Sequence, residues 1–322
     1  MNSLNAFVSL LVQDLMASGR HGTVRAYESA LRRLTAFAGN EVILFTDITP
    51  GLLKNYERYL FAQGCKRNTV SLYMRMLRSV YNQAACRGLT HTPGGLFDEV
   101  FTGTDSSEKR AVNPSVIRRL RELDLRGNTT LETTRDLFLL SFYLRGIPFV
   151  DLIRLRKSDL SHNALRYRRS KTGRLLTVAV EPCAQEILRK YAATSSAYLL
   201  PVLTEEGNDG YRQYQNALRR YNLHLQRLSA MLGLKVNLTS YVARHSWATA
   251  AYRQGVPVAV ISESLGHASE KVTYTYLASF DNRTLKRANQ RVIALIFPEK
   301  NPQLQAHNFK KSAYNFKKLA CD

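Results

Sequence analysis

The sequence predicts a mainly α protein with a small β-sheet, an α+β class, organised as two domains. Apolar residues recur at three- and four-residue spacing over most of the chain, and only one stretch alternates as a β-hairpin would. At 322 residues the chain is long for one compact core and comfortable for two.

Leu4, Phe7, Val8, Leu11 and Leu15 mark a first amphipathic helix. Thr23 is expected to cap a second, with Val24, Tyr27, Leu31, Leu34 and Phe37 on one face. Thr49-Pro50, a cap followed by a first-turn proline, opens a third that ends near Gly64. A fourth runs from about Asn68 through Val70, Tyr73, Leu77, Val80 and Tyr81 to Gly88. Residues 1–101 thus read as a small helical bundle. Its polar faces carry Arg25, Arg32, Arg33, Lys66, Arg67, Arg75 and Arg78, with few balancing acids on the first, second and fourth helices. Such side chains can neutralise phosphates along a duplex.

Residues 102–111, TGTDSSEKRA, have no apolar periodicity and read as a linker to a second domain at 112–297. There Pro114 opens a short helix and residues 130–144 form an apolar one. Ala164–Arg169 and Leu175–Val180 read as strands joined by Ser170-Lys171-Thr172-Gly173, which puts a lysine at the hairpin tip. From Pro182 to Phe297 the pattern is helical again, with long segments at Tyr211–Leu232 and Thr239–Gln254. Residues 298–322 form a basic tail in which NFKK occurs twice, and Phe309, Ala313, Phe316 and Leu319 fall along one helical face.

Forty-six Lys and Arg stand against 25 Asp and Glu, a net charge of +21 spread along the chain, which points to a polyanionic partner. No apolar run approaches the ~20 residues that span a bilayer, and no secretion signal opens the chain, so a cytoplasmic location is expected. Cys65, Cys86, Cys183 and Cys321 lie far apart without ligand spacing. They are expected to be reduced, mostly buried thiols, with no metal. There is no GxxxxGK[ST] phosphate loop and no carboxylate cluster for catalytic magnesium, so no cofactor is expected.

From Leu238 the sequence reads LTSYVARHSWATAAYRQG, and some twenty residues later ISESLGHASEKVTYTYL. These stretches resemble the signature of the tyrosine recombinase (phage integrase) family: an Arg-His pair, a Leu-Gly-His, and a nucleophilic tyrosine nine residues after that histidine. Here those positions are Arg244-His245, Leu265-Gly266-His267 and Tyr276. The variants YLRG and YVARHSWAT are most similar to recombinases of Bacteroides-type mobile elements. The resemblance implies a two-domain clamp on duplex DNA, with an N-terminal helical core-binding domain and a catalytic domain, acting as a homotetramer on two sites that are inverted repeats. It also implies cleavage and rejoining through a 3′-phosphotyrosyl ester, without ATP or metal.

The chemistry explains the residue types. A phenol with an unperturbed pKa near ~10 needs cations around the phosphate and an acceptor for its proton. The resemblance gives Arg244 to the phosphate, Lys171 to protonation of the departing 5′-oxygen, and His267 to base work. Two positions depart from the family pattern. Aligning on Gly146 and Asp151 puts Pro148 where the first arginine normally stands, so Arg145 is taken as its replacement, with Arg154 and Arg156 as alternatives. Tyr241 replaces a histidine three residues before Arg244, and its hydroxyl can donate to phosphate but is a poor base.

Tyr274 is the rival nucleophile. His245 is expected to support the Arg244 helix, and Trp247 to pack. The tail's apolar stripe is expected to dock on a neighbouring subunit, and no separate arm-binding domain is expected before the first helix. A type IB topoisomerase and a regulator that has kept the fold but lost catalysis stay open as alternatives.

Overall fold

The structure is a computed structural model that describes residues 3–91, 94–105, 110–193, 196–203 and 209–277, together with 286, 288–290 and 292–293. The expected docking stripe at 309–319 and Cys321 lie outside the described residues. Two compact units emerge, residues 1–108 with 205–215, and residues 109–204 with 216–322.

The first unit is built on α1 (Leu4–Ala17), α2 (His21–Ala38), α3 (Pro50–Ala62) and α4 (Arg67–Cys86). The Ser3 and Thr49 side chains cap α1 and α3 by accepting from Ala6 N and Leu52 N. The Thr23 cap is corrected: α2 begins at His21 behind Arg20, without a side-chain cap. The reason is the tight close of α1, where Gly19 turns at φ 69° and Arg20 N donates to Leu15 O, so the next helix starts at once. Phe7, Leu34, Leu53, Tyr56, Leu60 and Met74 are fully buried in one core. The start of the expected linker lies against α4, through Ser71 Oγ donating to Gly103 O and paired bonds between Asn68 and Asp105.

The second unit contains α5 (Pro114–Glu122), α6 (Thr129–Tyr143), α7 (Phe149–Leu152), α8 (Pro182–Lys190), most of α9 (Asp209–Met231), α10 (Val242–Arg253), α11 (Val258–Leu265) and α12 (Glu270–Tyr274). Its sheet is antiparallel in the order β1 (Leu160–Ser161), β2 (Ala164–Arg168), β3 (Leu175–Ala179). Leu165 pairs with Val178 and Tyr167 with Leu176, and these four point inward while their neighbours face out. The two-residue β1 is too short to leave an alternation in the sequence.

The chain breaks after α6 at two successive left-handed residues, Arg145 (φ 57°) and Gly146 (φ 70°). Pro148 then sits at the N-cap of α7 with φ −65°, so it starts a helix rather than ending one. The cysteine expectation is also corrected: Cys86 and Cys183 are free and exposed, because both fall on solvent faces of amphipathic helices, and Cys65 is half-buried. Among the described residues no helix is long and apolar enough to cross a membrane, and no cluster of His, Cys, Asp and Glu could hold a metal.

Phe138 is fully buried on α6. Phe138→Ala is expected to lower the unfolding free energy by about 3–5 kcal/mol in urea titrations followed by circular dichroism. A loss below about 1 kcal/mol would show that α6 is not central to this core.

Candidate active site

Arg244 lies in the first turn of α10 and is only 2% exposed. Its backbone packs on Gly146, where an added Cβ would stand 2.9 Å from Arg244 Cα. With its positive φ, this makes glycine the residue the position requires. The guanidinium fans out: Nη1 donates to Gly146 O (2.8 Å), and Nη2 donates to Leu265 O (2.7 Å) and His267 Nε2 (2.8 Å). Nε finds no partner among the described residues, and no carboxylate pairs with this arginine among them. Burial, then the neighbouring Arg169, push its pKa down to about 10, against Tyr276 and Tyr167, which raise it; it is a cation at neutral pH.

His267 is placed by Gly266, which ends α11 in the left-handed region at φ 65°. An arginine can only donate, so His267 Nε2 is the acceptor and Nδ1 carries the proton, donated to Thr273 Oγ1 at 2.9 Å. Burial first, then Arg244, Arg169 and Lys171, drive the His267 pKa down to about 3. The imidazole is therefore neutral at pH 7, with its lone pair turned to Arg244.

Tyr276 follows α12 and folds back onto both motifs. Its ring stacks on His267 (centroids 4.9 Å apart) and leans on His245 (4.6 Å), with the Arg244 Cζ 5.4 Å from its centroid. The carbonyl of Tyr276 accepts from Thr249 Oγ1 and His245 Nδ1, both at 3.3 Å, so α10 fixes this backbone. His245, expected to support the Arg244 helix, contacts Tyr276. Tyr274 is 54% exposed. Trp247 packs with Ile261, Leu265 and Leu277.

The β2–β3 hairpin closes over the same corner. Thr172 Oγ1 donates to Gly266 O (3.2 Å) and Arg174 Nη1 to His267 O (3.1 Å). Lys171 is exposed in the β2–β3 turn, just before Thr172, and near enough for its charge to act on His267. Asp151, 3% exposed on α7, fixes the hairpin base by accepting from Arg169 Nη1 (2.8 Å) and Ser170 N (3.0 Å). Arg169 is a residue the sequence reading passed over. It lies 6% exposed beside Arg244. The signal was available: Leu165 and Tyr167 point inward, and the same alternation turns Arg169 in.

Tyr241 is the N-cap of α10 and is about half exposed. Desolvation of its hydroxyl and then Tyr276 raise its pKa, outweighing Arg244 and Arg169, so the hydroxyl stays protonated and available to donate. Arg145 is half-buried and makes no hydrogen bond to a described residue, while its charge acts on buried Tyr167. Arg154 and Arg156 are exposed, and Arg156 lies over the ring of Tyr198.

At this corner a buried arginine, a histidine and a tyrosine meet beneath a basic hairpin. The phage integrase family profile matches residues 114–283, more than half of the chain, and that of the phage integrase SAM-like domain matches residues 3–93. The chain belongs to the phage integrase family, the tyrosine recombinases, and is a site-specific recombinase. It is 26% identical over 281 residues to the tyrosine recombinase XerC of Roseiflexus castenholzii, covering 85% of this chain and 87% of the relative. Its fold is similar to that of a lambda integrase (75–356) dimer bound to a COC′ core site (TM-score 0.65, 16% identity, 87% of this chain and 98% of that one). It is similar also to a lambda integrase tetramer bound to a Holliday junction (TM-score 0.64, 15% identity, 87% and 80%).

The depressed His267 pKa fixes a sign for stability. Its folded value lies below the ordinary ~6.5, so its contribution is full above ~6.5 and is lost as pH falls from there toward about 3. Thermal melts of wild type and His267→Gln between pH 7.5 and 4.5 test this. The wild type is expected to lose more of its Tm than the variant on acidification, and parallel curves would contradict a neutral, arginine-bonded His267.

Proposed function

We propose that this recombinase cuts and rejoins duplex DNA through a 3′-phosphotyrosyl ester on Tyr276, without ATP, metal or other cofactor. The observation that carries the reading is the packing of the Tyr276 ring against both His267 and Arg244. It brings a phenol, a neutral imidazole and an uncompensated guanidinium to one point.

The Tyr276 oxygen attacks phosphorus as the bond to the 5′-oxygen breaks, and Lys171 at the hairpin tip protonates that leaving oxygen. Arg244 donates to a non-bridging oxygen, a bond that strengthens as charge builds in the transition state. Tyr241 donates a further hydrogen bond from the start of α10, and Arg145 adds positive charge from the loop before α7.

His267 is coupled to the substrate by its bond to Arg244. A phosphate that draws Nη2 away frees the imidazole lone pair for the Tyr276 proton. The phosphate's negative charge also raises the pKa that Arg244, Arg169 and Lys171 hold down. The ester retains the energy of the broken phosphodiester, so a 5′-hydroxyl from a second strand attacks it, restores the phosphodiester and releases Tyr276.

The partner is double-stranded DNA, consistent with the net charge of +21. The protein acts as a homotetramer on two inverted-repeat sites, in the compartment that holds the DNA. A lambda integrase tetramer on a Holliday junction shares the fold and supports this assembly.

Incubation with a nicked duplex is expected to give a denaturation-resistant, protease-sensitive adduct with wild type and with Tyr274→Phe, and none with Tyr276→Phe. An adduct that survives Tyr276→Phe refutes the assignment. Tight DNA binding with no adduct from wild type points instead to a non-catalytic DNA-binding protein.

A further inference from the structure

Two buried cations meet at one carbonyl. Arg169 Nε and Arg244 Nη2 both donate to Leu265 O, at 3.3 and 2.7 Å, so their guanidiniums lie side by side in the interior. One carboxylate serves the pair: Asp151 accepts from Arg169 Nη1 at 2.8 Å, and Arg244 has no carboxylate among the described residues. Like charges this close and this dry repel, and a cluster left with excess positive charge favours an anion set against it. Donors stand ready for that anion: Arg169 Nη2 and Arg244 Nε make no hydrogen bond to a described residue.

The local backbone explains why the second cation comes from the hairpin. Pro148 stands where the resemblance called for an arginine, and as the N-cap of α7 it has no side chain to offer a phosphate. The same short helix supplies Asp151, whose two carboxylate oxygens hold the Arg169 guanidinium and the Ser170 amide. Arg169 is thereby locked against Leu265 O, within the corner where His267 and Tyr276 stack. Arg145 has no such fixing bonds among the described residues.

We propose that Arg169 is the second phosphate-binding arginine of this recombinase, donating to one non-bridging oxygen of the scissile phosphate while Arg244 holds the other, with Asp151 as its positioning residue. The proposal rests on the Tyr276 phosphotyrosine reading. It moves the direct phosphate contact from Arg145 to the end of β2.

The test compares two substrates. A duplex selected by binding from random-sequence DNA is nicked and its cleavage position mapped with the wild-type protein. It is then prepared with either the natural phosphodiester or a methylphosphonate at that position. The methylphosphonate replaces a charged oxygen with a methyl group, so a cation that served that oxygen loses its purpose.

Arg169→Ala is expected to slow adduct formation about 100-fold or more on the phosphodiester. On the methylphosphonate it should run within about threefold of wild type. Arg169→Lys, which keeps a cation beside Asp151 and so protects the fold, should show the same contrast at smaller amplitude. Arg145→Ala, which removes a charge without a direct phosphate contact, should show a contrast at least tenfold smaller than that of Arg169→Ala. Equal losses on both substrates for both Arg169 variants would reduce Arg169 to a structural role, and a contrast in Arg145→Ala instead would move the assignment back. Absence of any adduct from the unaltered protein would remove the Tyr276 reading, and this proposal with it.

Discussion

A guanidinium at 2% exposure with no carboxylate among the described residues to answer it is an expensive thing to keep in a protein interior, and the second unit is arranged around that of Arg244. Two backbone carbonyls and one imidazole nitrogen accept from its terminal nitrogens, drawn from two separate turns of the chain. Gly146 supplies the first from a left-handed turn after α6, Leu265 the second from the end of α11, and His267 the third from just beyond it. Neutral acceptors leave the charge itself unspent. Such an arrangement is costly for the empty protein, and the proposed phosphate would relieve that cost as it binds.

The same constraint organises the neighbours. His267 must be neutral to accept from Arg244, and Thr273 fixes the tautomer that makes this possible. Thr273 stands three residues before Tyr276, so the short α12 that orients the histidine also returns the tyrosine to it. Asp151 answers one positive charge of the Arg169–Arg244 pair and anchors the hairpin that carries Lys171.

Much of this was legible in the sequence. The helices of the first unit follow apolar spacing closely, because a small bundle buries one stripe per helix. That Arg244, His267 and Tyr276 meet was legible because they sit at short separations in or just beyond adjacent helices. What escaped depends on long-range placement. Arg169 lies in a run of arginines, RYRRS, and only the inward alternation of Leu165 and Tyr167, once tied to the α7 carboxylate, separates it from exposed Arg166 and Arg168. The break after α6 is made by Arg145 and Gly146, and Pro148, which the sequence shows only as standing in the first arginine's place, opens α7. The start of α2 was misplaced because it is set by how α1 closes rather than by a cap of its own.

The charge on Arg244, uncompensated among the described residues, is proposed as the seat of the scissile phosphate. A crystal structure of the Tyr276→Phe protein with an uncleaved duplex tests it most directly. The expected complex has a backbone phosphate within hydrogen-bonding distance of Arg244, the ring at position 276 facing the phosphorus, and His267 released from Nη2. A duplex bound with Arg244 still closed on Gly146, Leu265 and His267, and its nearest phosphate over the exposed side of α12, would contradict it.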